Sequence, residues 1–194
     1  MSWGKFIATA GLFGAYIVKD TIPDEKIEIL RDNCNNLCDR AMIDFLLSTE
    51  IRVGELVRLN IDDIDFSERE CVVYGKGDKE RKAYFDAKTK IHLLNYIESR
   101  TDNNIALFVS LNKPHSRLTE SGVELRLREM GKKLGVEKVH PHKFRRTMAT
   151  RAIEKGMPIE QVQKILGHEQ IDTTLRYAMV NQNNVKLSHR KYIS

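Results

Sequence analysis

The segment HPHKFRR, residues 140–146, combines two imidazoles with three cationic side chains in consecutive positions. From Pro141 the pattern predicts a helix that ends near Gly156, a residue type that closes helices because it tolerates a positive φ. His142 and Arg145 are three residues apart, a spacing that puts both side chains on one face of a helix. We therefore expect one helix to present a base and an anion clamp together.

Three further segments combine a basic or imidazole residue with a glycine or a helix start. They are IRVGEL at 51–56, GKGDKER at 75–81 and LGH at 166–168, the last followed nine residues later by Tyr177. Each segment alone is a weak signal, because a single arginine before a helix is usually a solvated charge and a single tyrosine is usually half-buried in a core. Core packing does not require Arg, Lys, His, Arg, His and Tyr in this order, so their joint appearance indicates a site.

The residue types fit the cleavage of a DNA phosphodiester without water or metal. Such a reaction needs a side-chain nucleophile, hydrogen-bond donors for a phosphorane-like transition state and an acid for the leaving oxygen. Tyr177 supplies a phenol that can form a phosphotyrosine ester, and Arg52 and Arg145 supply planar charged forks that match non-bridging phosphate oxygens. His168 adds a donor, and Lys76, on a glycine-flanked turn, is placed to protonate the departing 5′ oxygen.

Over residues 23–177 this ordered set, with 24 residues from Arg52 to Lys76, resembles the catalytic domain of the tyrosine recombinases, also called the phage-type integrase family. The resemblance implies a mainly α fold with a small antiparallel β-sheet. It also implies a site-specific recombinase, the integrase of a mobile element or prophage, that joins DNA through a 3′-phosphotyrosyl intermediate without metal, ATP or any cofactor. The matching catalytic residues are Tyr177 as nucleophile and Arg52, Lys76, His142, Arg145 and His168 as activating residues, with His140 competing for the role of His142.

The sequence departs from the family pattern at Glu50, where members usually carry glycine two residues before the first arginine. If the backbone there needs a positive φ, glutamate would strain it, and its charge would lie beside Arg52. Arg146 stands where histidine is common, a position that tolerates change. Members usually also carry an N-terminal helical domain that completes the clamp around DNA. Residues 1–20 cannot be that domain, so we expect a catalytic fragment or a short member.

We divide the chain into an N-terminal extension or remnant at 1–20, a catalytic domain at 21–183 and a C-terminal helical tail at 184–194. The expected partner is double-stranded DNA at an attachment or recombination site. By resemblance, the amphipathic tail is a candidate to pack on a neighbouring subunit and so to support self-association on DNA. Its pattern fits packing on its own domain equally well.

Hydrophobic periodicity predicts a mostly helical chain with one small sheet. The run ECVVY at 70–74, the turn at 75–78 and the alternating residues 81–85 predict a hairpin or small antiparallel sheet. Residues 107–110 are predicted as either a short strand or an extended segment. Helices are predicted from Pro23, over 36–48, from near Arg52, over 88–100, 119–134, 141–156 and 159–166, and in a short piece that Thr173 and Thr174 can cap.

The amino-acid composition limits the class of protein and the partners that are possible. The 194 residues are 41% apolar, enough for one domain with a buried core, which excludes a wholly disordered protein. A formal net charge of +5 favours a polyanionic partner only weakly. Three cysteines without zinc spacing predict reduced thiols in a cytoplasmic protein. The apolar run at 6–18 is too short to span a bilayer, so we expect no membrane partner. We expect this run to be a buried or partner-facing helix, or the remnant of a truncated upstream region, in preference to a signal peptide.

Two groups that resemble ligand clusters are better explained by ordinary structure. The first is a set of carboxylates before the hairpin: Asp62, Asp63, Asp65 and Glu68. It lacks the spacing and the glycine of a calcium loop, so a solvated turn is predicted. Cys34 and Cys38 have helical i, i+4 spacing and are predicted to be core or surface thiols.

The residues alone leave two other functions open. Residues 152–177 also fit a helix-turn-helix with its turn at 156–158, which predicts a non-catalytic DNA-binding regulator. That interpretation explains the basic charge but neither Arg52 nor the hairpin with Lys76. A type IB topoisomerase-like enzyme would share the tyrosine and the arginines, and it would relax supercoils without pairing two sites.

Overall fold

The computed structural model describes residues 21–75, 80–168, 174 and 190. This part of the chain contains seven α-helices and a three-stranded antiparallel sheet, so the mainly α architecture with a small sheet is confirmed. The helices are α1 (Asp24–Asp32), α2 (Leu37–Thr49), α3 (Val53–Arg58), α4 (Ala87–Glu98), α5 (Glu120–Lys133), α6 (Pro141–Glu154) and α7 (Ile159–Leu166). The strands are β1 (Ile64–Asp65), β2 (Glu70–Tyr74) and β3 (Glu80–Tyr84), and a 3-10 turn (Ile61–Asp63) precedes β1.

Helix α2 lies at the centre of the core. It is buried around most of its circumference, and Ala41, Phe45 and Leu46 are among its buried residues. Such a helix is stable only when its neighbours cover every face, and α1, α4, α6 and β3 all pack against it. The Asn36 side chain starts the helix by accepting a hydrogen bond from the backbone N–H of Asp39 at 2.8 Å.

The end of α2 has an unusual backbone conformation. Glu50 closes the helix in the left-handed region, with φ 52°. This conformation costs a residue that has a Cβ about 1 kcal/mol relative to glycine. The positive φ that would strain a glutamate at this position is therefore present, and the chain enters α3 directly afterwards with Arg52 as its N-cap.

The sheet has the strand order β1-β2-β3 and pairs Val73 with Arg81 and Val72 with Lys82. Alternation along β2 puts Cys71 and Val73 on the buried face. Because paired residues share a face, Arg81 points to the same side as Val73, toward the interior. The predicted hairpin is confirmed, and β1 extends it by a short strand that the pattern did not predict.

The acidic stretch before the hairpin forms a turn, as predicted. Oδ1 of Asp65 accepts hydrogen bonds from the N–H of Ser67 at 2.8 Å, the hydroxyl of Ser67 at 2.6 Å and the N–H of Glu68 at 2.9 Å. Within the described ranges, no group of three or more histidine, cysteine or acidic residues could hold a metal ion. Cys38 is buried and Cys34 packs against the core, so both are structural thiols, as predicted, but Cys34 precedes α2 and the two do not share a helix.

Helices α6 and α7 form a second, smaller apolar cluster through Ala149, Val162 and Leu166. Helix α6 is also tied to the main core by Phe144, which is fully buried. The turn between the two helices contains Gly156 with φ 92°, in agreement with the predicted helix end. This packing fixes the C-terminal end of α7 relative to α6.

Of the two predictions for residues 107–110, the extended segment is correct, since only isolated bridges to Asn60 and Arg117 form in this region. In the part of the chain that the structure describes, no helix is long and apolar enough to cross a membrane. Several predicted features lie outside the described residues: the apolar run at 6–18, Lys76, the short helix capped by Thr173, Tyr177 and the tail at 184–194.

Candidate active site

The candidate active site lies where the start of α3, strand β3, helix α6 and the turn after α7 meet. Three of the predicted residues, Arg52, Arg145 and His168, are brought together there. Arg52 Nη2 donates to the main-chain oxygen of Gly167 at 3.3 Å, and Arg145 Nη2 donates to the main-chain oxygen of Leu166. Both arginines therefore hold the end of α7, directly before His168.

Arg52 is the N-cap residue of α3, and Glu55 sets its position. The backbone N–H of Arg52 donates to Oε2 of Glu55 at 2.7 Å, and Nη1 donates to Oε1 at 2.9 Å. In this capping arrangement the third helical residue reaches back to the cap. Because 38% of the Arg52 side chain stays exposed, its guanidinium is oriented and still accessible to an anion.

Glu55 is a buried carboxylate, 2% exposed, that pairs with two arginines. Its second partner is Arg81, whose Nη2 donates to Oε2 at 2.6 Å while Nη1 donates to the main-chain oxygen of Ile165 at 2.8 Å. Neither Glu55 nor Arg81 was predicted as part of the site. The capping spacing from Arg52 could have identified Glu55. No local pattern could have identified Arg81, since its two partners are 26 and 84 residues away.

Arg145 is 5% exposed and links the ends of two helices. Its Nη1 donates to the main-chain oxygen of Glu50 after α2, and its Nη2 donates to that of Leu166 in the last turn of α7. A guanidinium is a rigid planar fork, so two bonds to fixed carbonyl groups define its orientation. Arg145 is therefore held in place before any ligand binds.

The turn after α7 positions His168. Gly167 closes the helix with φ 60°, and a Cβ at this position would lie 2.8 Å from Cδ of Arg81. Glycine is required both by the backbone conformation and by this close approach. The N–H of His168 donates to the main-chain oxygen of Gln163 at 3.1 Å, and Nδ1 lies 2.9 Å from Oγ1 of Thr174, which is fully buried.

Burial and the arginine cluster determine the charge of His168. Burial lowers the pKa of the imidazole to about 4, and the charges of Arg145, Arg52 and Arg81 act in the same direction. His168 is therefore neutral at neutral pH and carries one ring N–H. If the hydroxyl of Thr174 donates to Nδ1, that N–H lies on Nε2, from which it can donate to an anion.

Glu50 is a second group whose pKa is strongly displaced. Burial raises the pKa of its carboxyl to about 7, although the neighbouring charges of Arg145 and Arg81 act in the opposite direction. The sequence predicted that this charge would lie beside Arg52. The charged groups that act on it are instead Arg145 and Arg81, which are distant in sequence.

The first turn of α6 carries the two candidate imidazoles. His140 is the N-cap, and burial lowers its pKa, as do the nearby charges of His142 and Arg146. His142 is exposed, whereas Arg145, three residues later, is buried. Among the described residues, no hydrogen bond links the side chain of His142 to Arg145 or to His168. Within the described residues, the structure therefore does not bring His142 into contact with the other predicted residues.

The arrangement is suited to an anion with several oxygen atoms. Guanidinium groups of Arg52, Arg81 and Arg145 converge with a neutral imidazole, and within the described ranges the carboxylate of Glu55 forms ion pairs with the first two of them. Positive charge therefore exceeds negative charge in the cluster. Guanidinium forks match the non-bridging oxygens of a phosphodiester, and partial burial strengthens the attraction because water screens it less.

Comparison with known proteins gives a family and close relatives. The model of the Phage integrase family matches residues 21–184. Tyrosine recombinase XerC of Staphylococcus aureus is 36% identical over 173 residues, an alignment that covers 84% of this chain and 57% of that protein. The chain thus spans little more than half the length of the curated relatives that it matches.

Solved structures share the fold. The crystal structure of XerA recombinase superposes with a TM-score of 0.77 and 31% identity, covering 89% of this chain and 65% of that one. The Tn1549 transposon integrase in complex with transposon right end DNA gives a TM-score of 0.77 at 19% identity, over 90% of this chain and 66% of that one. XerH recombinase bound to palindromic difH substrate gives a TM-score of 0.71 at 21% identity, over 91% of this chain and 54% of that one. The last two likenesses concern the fold alone.

Proposed function

The chain belongs to the phage integrase family, and we propose that it is the catalytic part of a site-specific tyrosine recombinase that cuts and rejoins DNA. The observation that carries the proposal is the convergence of Arg52, Arg145 and His168 at the end of α7. Distant stretches of the chain form one anion-binding cluster there, and a packed core has no need of such a cluster. In this proposal residues 21–183 are the catalytic domain.

The proposed nucleophile is Tyr177. Its phenolic oxygen attacks the scissile phosphorus, its proton passes to a base, and the bond from phosphorus to the 5′ oxygen breaks. Lys76 supplies the proton that the departing 5′ oxygen takes up, which leaves a 3′-phosphotyrosyl ester and a free 5′ hydroxyl. The 5′ hydroxyl of a partner strand reverses the step. Because the ester conserves the energy of the broken bond, the reaction requires no ATP, and in this proposal the arginines stabilise the phosphate charge without a metal.

The described side chains are proposed to stabilise the charge that develops on the phosphate. Arg52 and Arg145 donate to the non-bridging oxygens, and neutral His168 donates through Nε2. Both guanidinium groups are oriented by Glu55 or by main-chain oxygens without DNA, so the reaction needs little reorganisation. We assign to His142 the activation of the tyrosine or of the phosphate, from the solvent side of the site. His140 is the alternative for this role.

Double-stranded DNA is the proposed partner. Two proteins of the same fold were solved on DNA: the Tn1549 integrase with transposon right end DNA and XerH with a difH substrate. For this chain we propose the integrase of a mobile element or prophage, acting in the cytoplasm on an attachment or recombination site. The tail at 184–194 would support self-association on that DNA.

A covalent-trapping assay tests the proposal. A nicked suicide duplex drawn from the ends of the source element is incubated with the protein, and products are resolved on a denaturing gel and mapped by peptide analysis. We expect an adduct on Tyr177 that Tyr177→Phe does not form. The matched control is Tyr84→Phe, at an exposed tyrosine of β3, which should react like the wild type. An adduct with Tyr177→Phe would overturn the assignment of the nucleophile.

The second candidate is a non-catalytic DNA-binding regulator, which the two helices joined by the short turn at 155–158 favour. Sequence-specific binding without strand cleavage, on nicked substrates as well, would support it. Efficient relaxation of an arbitrary supercoiled plasmid would instead support the topoisomerase-like enzyme.

A further inference from the structure

Glu50 is a carboxylic acid in the wall of the anion cluster to which the proposed function gives no role. It follows α2 with φ 52°, a backbone conformation that favours glycine. Its main-chain oxygen accepts a hydrogen bond from Nη1 of Arg145, so it is tied to one of the arginines proposed to bind phosphate. The residue is only 9% exposed. A strained, buried acid whose backbone is bonded to an arginine proposed to bind phosphate requires an explanation.

Two elements packed against α2 direct positive charge at Glu50. Arg145 of α6 and Arg81 of β3 both attract its carboxylate form, whereas burial disfavours that form and is the larger effect. The pKa of the carboxyl therefore rises to about 7. The carboxyl is thus close to the midpoint of its titration at neutral pH, and the charges of two arginines of the cluster act on it.

Charged groups on two other helices packed against α2 are paired with a different carboxylate. Arg31 of α1 and His92 of α4 are both paired with Asp44. His168 is already neutral, since burial and the arginines lower the pKa of its imidazole to about 4. Of these two displaced groups of the cluster, Glu50 is therefore the one whose charge responds to pH changes around neutrality.

We propose that Glu50 is an internal counter-ion of the phosphate site, and that the site binds a phosphate strongly only when this carboxyl is protonated. The inference rests on the proposed function. When ionised, Glu50 neutralises part of the positive charge that Arg81 and Arg145 offer to a phosphate. When protonated, it leaves that charge to the DNA. Proton binding and anion binding are coupled, so that each of the two ligands raises the affinity of the site for the other.

The coupling fixes the direction of the pH dependence. Above the pKa of Glu50, the protonated fraction falls about tenfold for each pH unit. Anion affinity falls with it, until only the weaker binding by the ionised form remains. Strand cleavage decreases over the same range, because the phosphate acquires further negative charge in the transition state and that charge is repelled by the ionised carboxylate.

Inorganic sulfate is a suitable probe, because its own charge is constant near neutral pH. Its binding is measured by isothermal titration calorimetry between about pH 6 and 8.5, in paired buffers of different ionisation enthalpy, so that proton uptake is counted directly. For the wild type we expect an affinity that falls roughly tenfold across this range, with protons taken up on binding. For Glu50→Gln we expect tighter binding at alkaline pH and no excess uptake. The control Glu98→Gln, at an exposed carboxylate of α4, should behave like the wild type.

Equal pH dependence of sulfate binding in the wild type and in Glu50→Gln would overturn the proposal. If the Gln variant does not fold, Glu50→Gly replaces it, since glycine fits the left-handed backbone. Cleavage of the nicked duplex at several pH values separates this inference from the proposed function. If neither the wild type nor the variant forms an adduct but sulfate binding depends on pH as expected, the recombinase assignment is rejected and the counter-ion proposal stands. If both the wild type and Glu50→Gln form adducts, and the ratio of their cleavage rates does not change with pH, the counter-ion proposal is rejected and the recombinase assignment stands.

Discussion

The guanidinium of Arg81 donates to the carboxylate of Glu55 at 2.6 Å, and both side chains are largely buried. The same carboxylate orients Arg52, so one acid joins strand β3 to an arginine that is proposed to bind phosphate. Removing one member of such a buried pair leaves the other charge without full compensation in a site of low dielectric constant. The pair is therefore a point where stability and the geometry of the site can be tested together.

Arg81→Met should lower the free energy of unfolding by about 3 kcal/mol, because Glu55 loses a buried partner. Lys82→Met, at the next position of β3, is the matched control. Its ammonium is exposed and paired with Glu70 at 2.5 Å, and exposed pairs contribute little. Urea denaturation followed by circular dichroism measures both variants. Equal losses for the two would show that the Arg81 pair is not a significant part of the fold's stability.

Thr174→Val should alter the tautomer of His168 with little change in volume. The two groups are 2.9 Å apart, and in the wild type we expect the hydroxyl as donor to Nδ1 and the ring proton on Nε2. Nitrogen NMR of histidine-labelled protein reports the tautomer, and single-turnover cleavage should slow about tenfold, the equivalent of one hydrogen bond. Thr174→Ser keeps the hydroxyl and should preserve both properties. A wild-type imidazole with its proton on Nδ1 would refute the assignment.

Gly167→Ala should be more damaging than Gly135→Ala, although the two glycines have φ of 60° and 64°. A Cβ at 167 would lie 2.8 Å from Cδ of Arg81, whereas a Cβ at 135 meets no atom within 4 Å. Backbone strain costs about 1 kcal/mol at both positions. The close contact at 167 should add roughly 1–3 kcal/mol. Thermal unfolding of the two variants measures the difference, and similar Tm values would mean that the Arg81 side chain moves aside at little cost.

Glu50 should make the stability of the fold depend on pH. Its pKa rises from an ordinary value of 4.5 to about 7, so the folded protein binds the proton more tightly than the unfolded chain. This stabilisation is complete below the unfolded value and is lost as the pH rises through the folded value, a change of about 3 kcal/mol. Glu50→Gln should remove this part of the profile, and Glu98→Gln should leave it. The free energy of unfolding is measured by urea denaturation at several pH values. The same pH dependence in the wild type and in Glu50→Gln would contradict the raised pKa.

The helices could be predicted because their signals are local. The pattern predicts α2 over 36–48, and the structure has it at Leu37–Thr49, since an apolar stretch behind a capping Asn36 specifies a helix without reference to the rest of the chain. Strand β1 could not be predicted in this way. It is two residues long and exists only because Ile64 and Asp65 pair with β2.

Residue types and their order were sufficient to select Arg52, Arg145 and His168 as candidates, because the capacity to bind a phosphate oxygen belongs to the side chain itself. The part played by Arg81 depends on packing, since it contacts α3 and α7 only where β3 lies against them. The neutral imidazole of His168 and the raised pKa of Glu50 depend on the fold in the same way. Charge states follow from burial and from neighbours that are distant in sequence, and neither exists until the chain has folded.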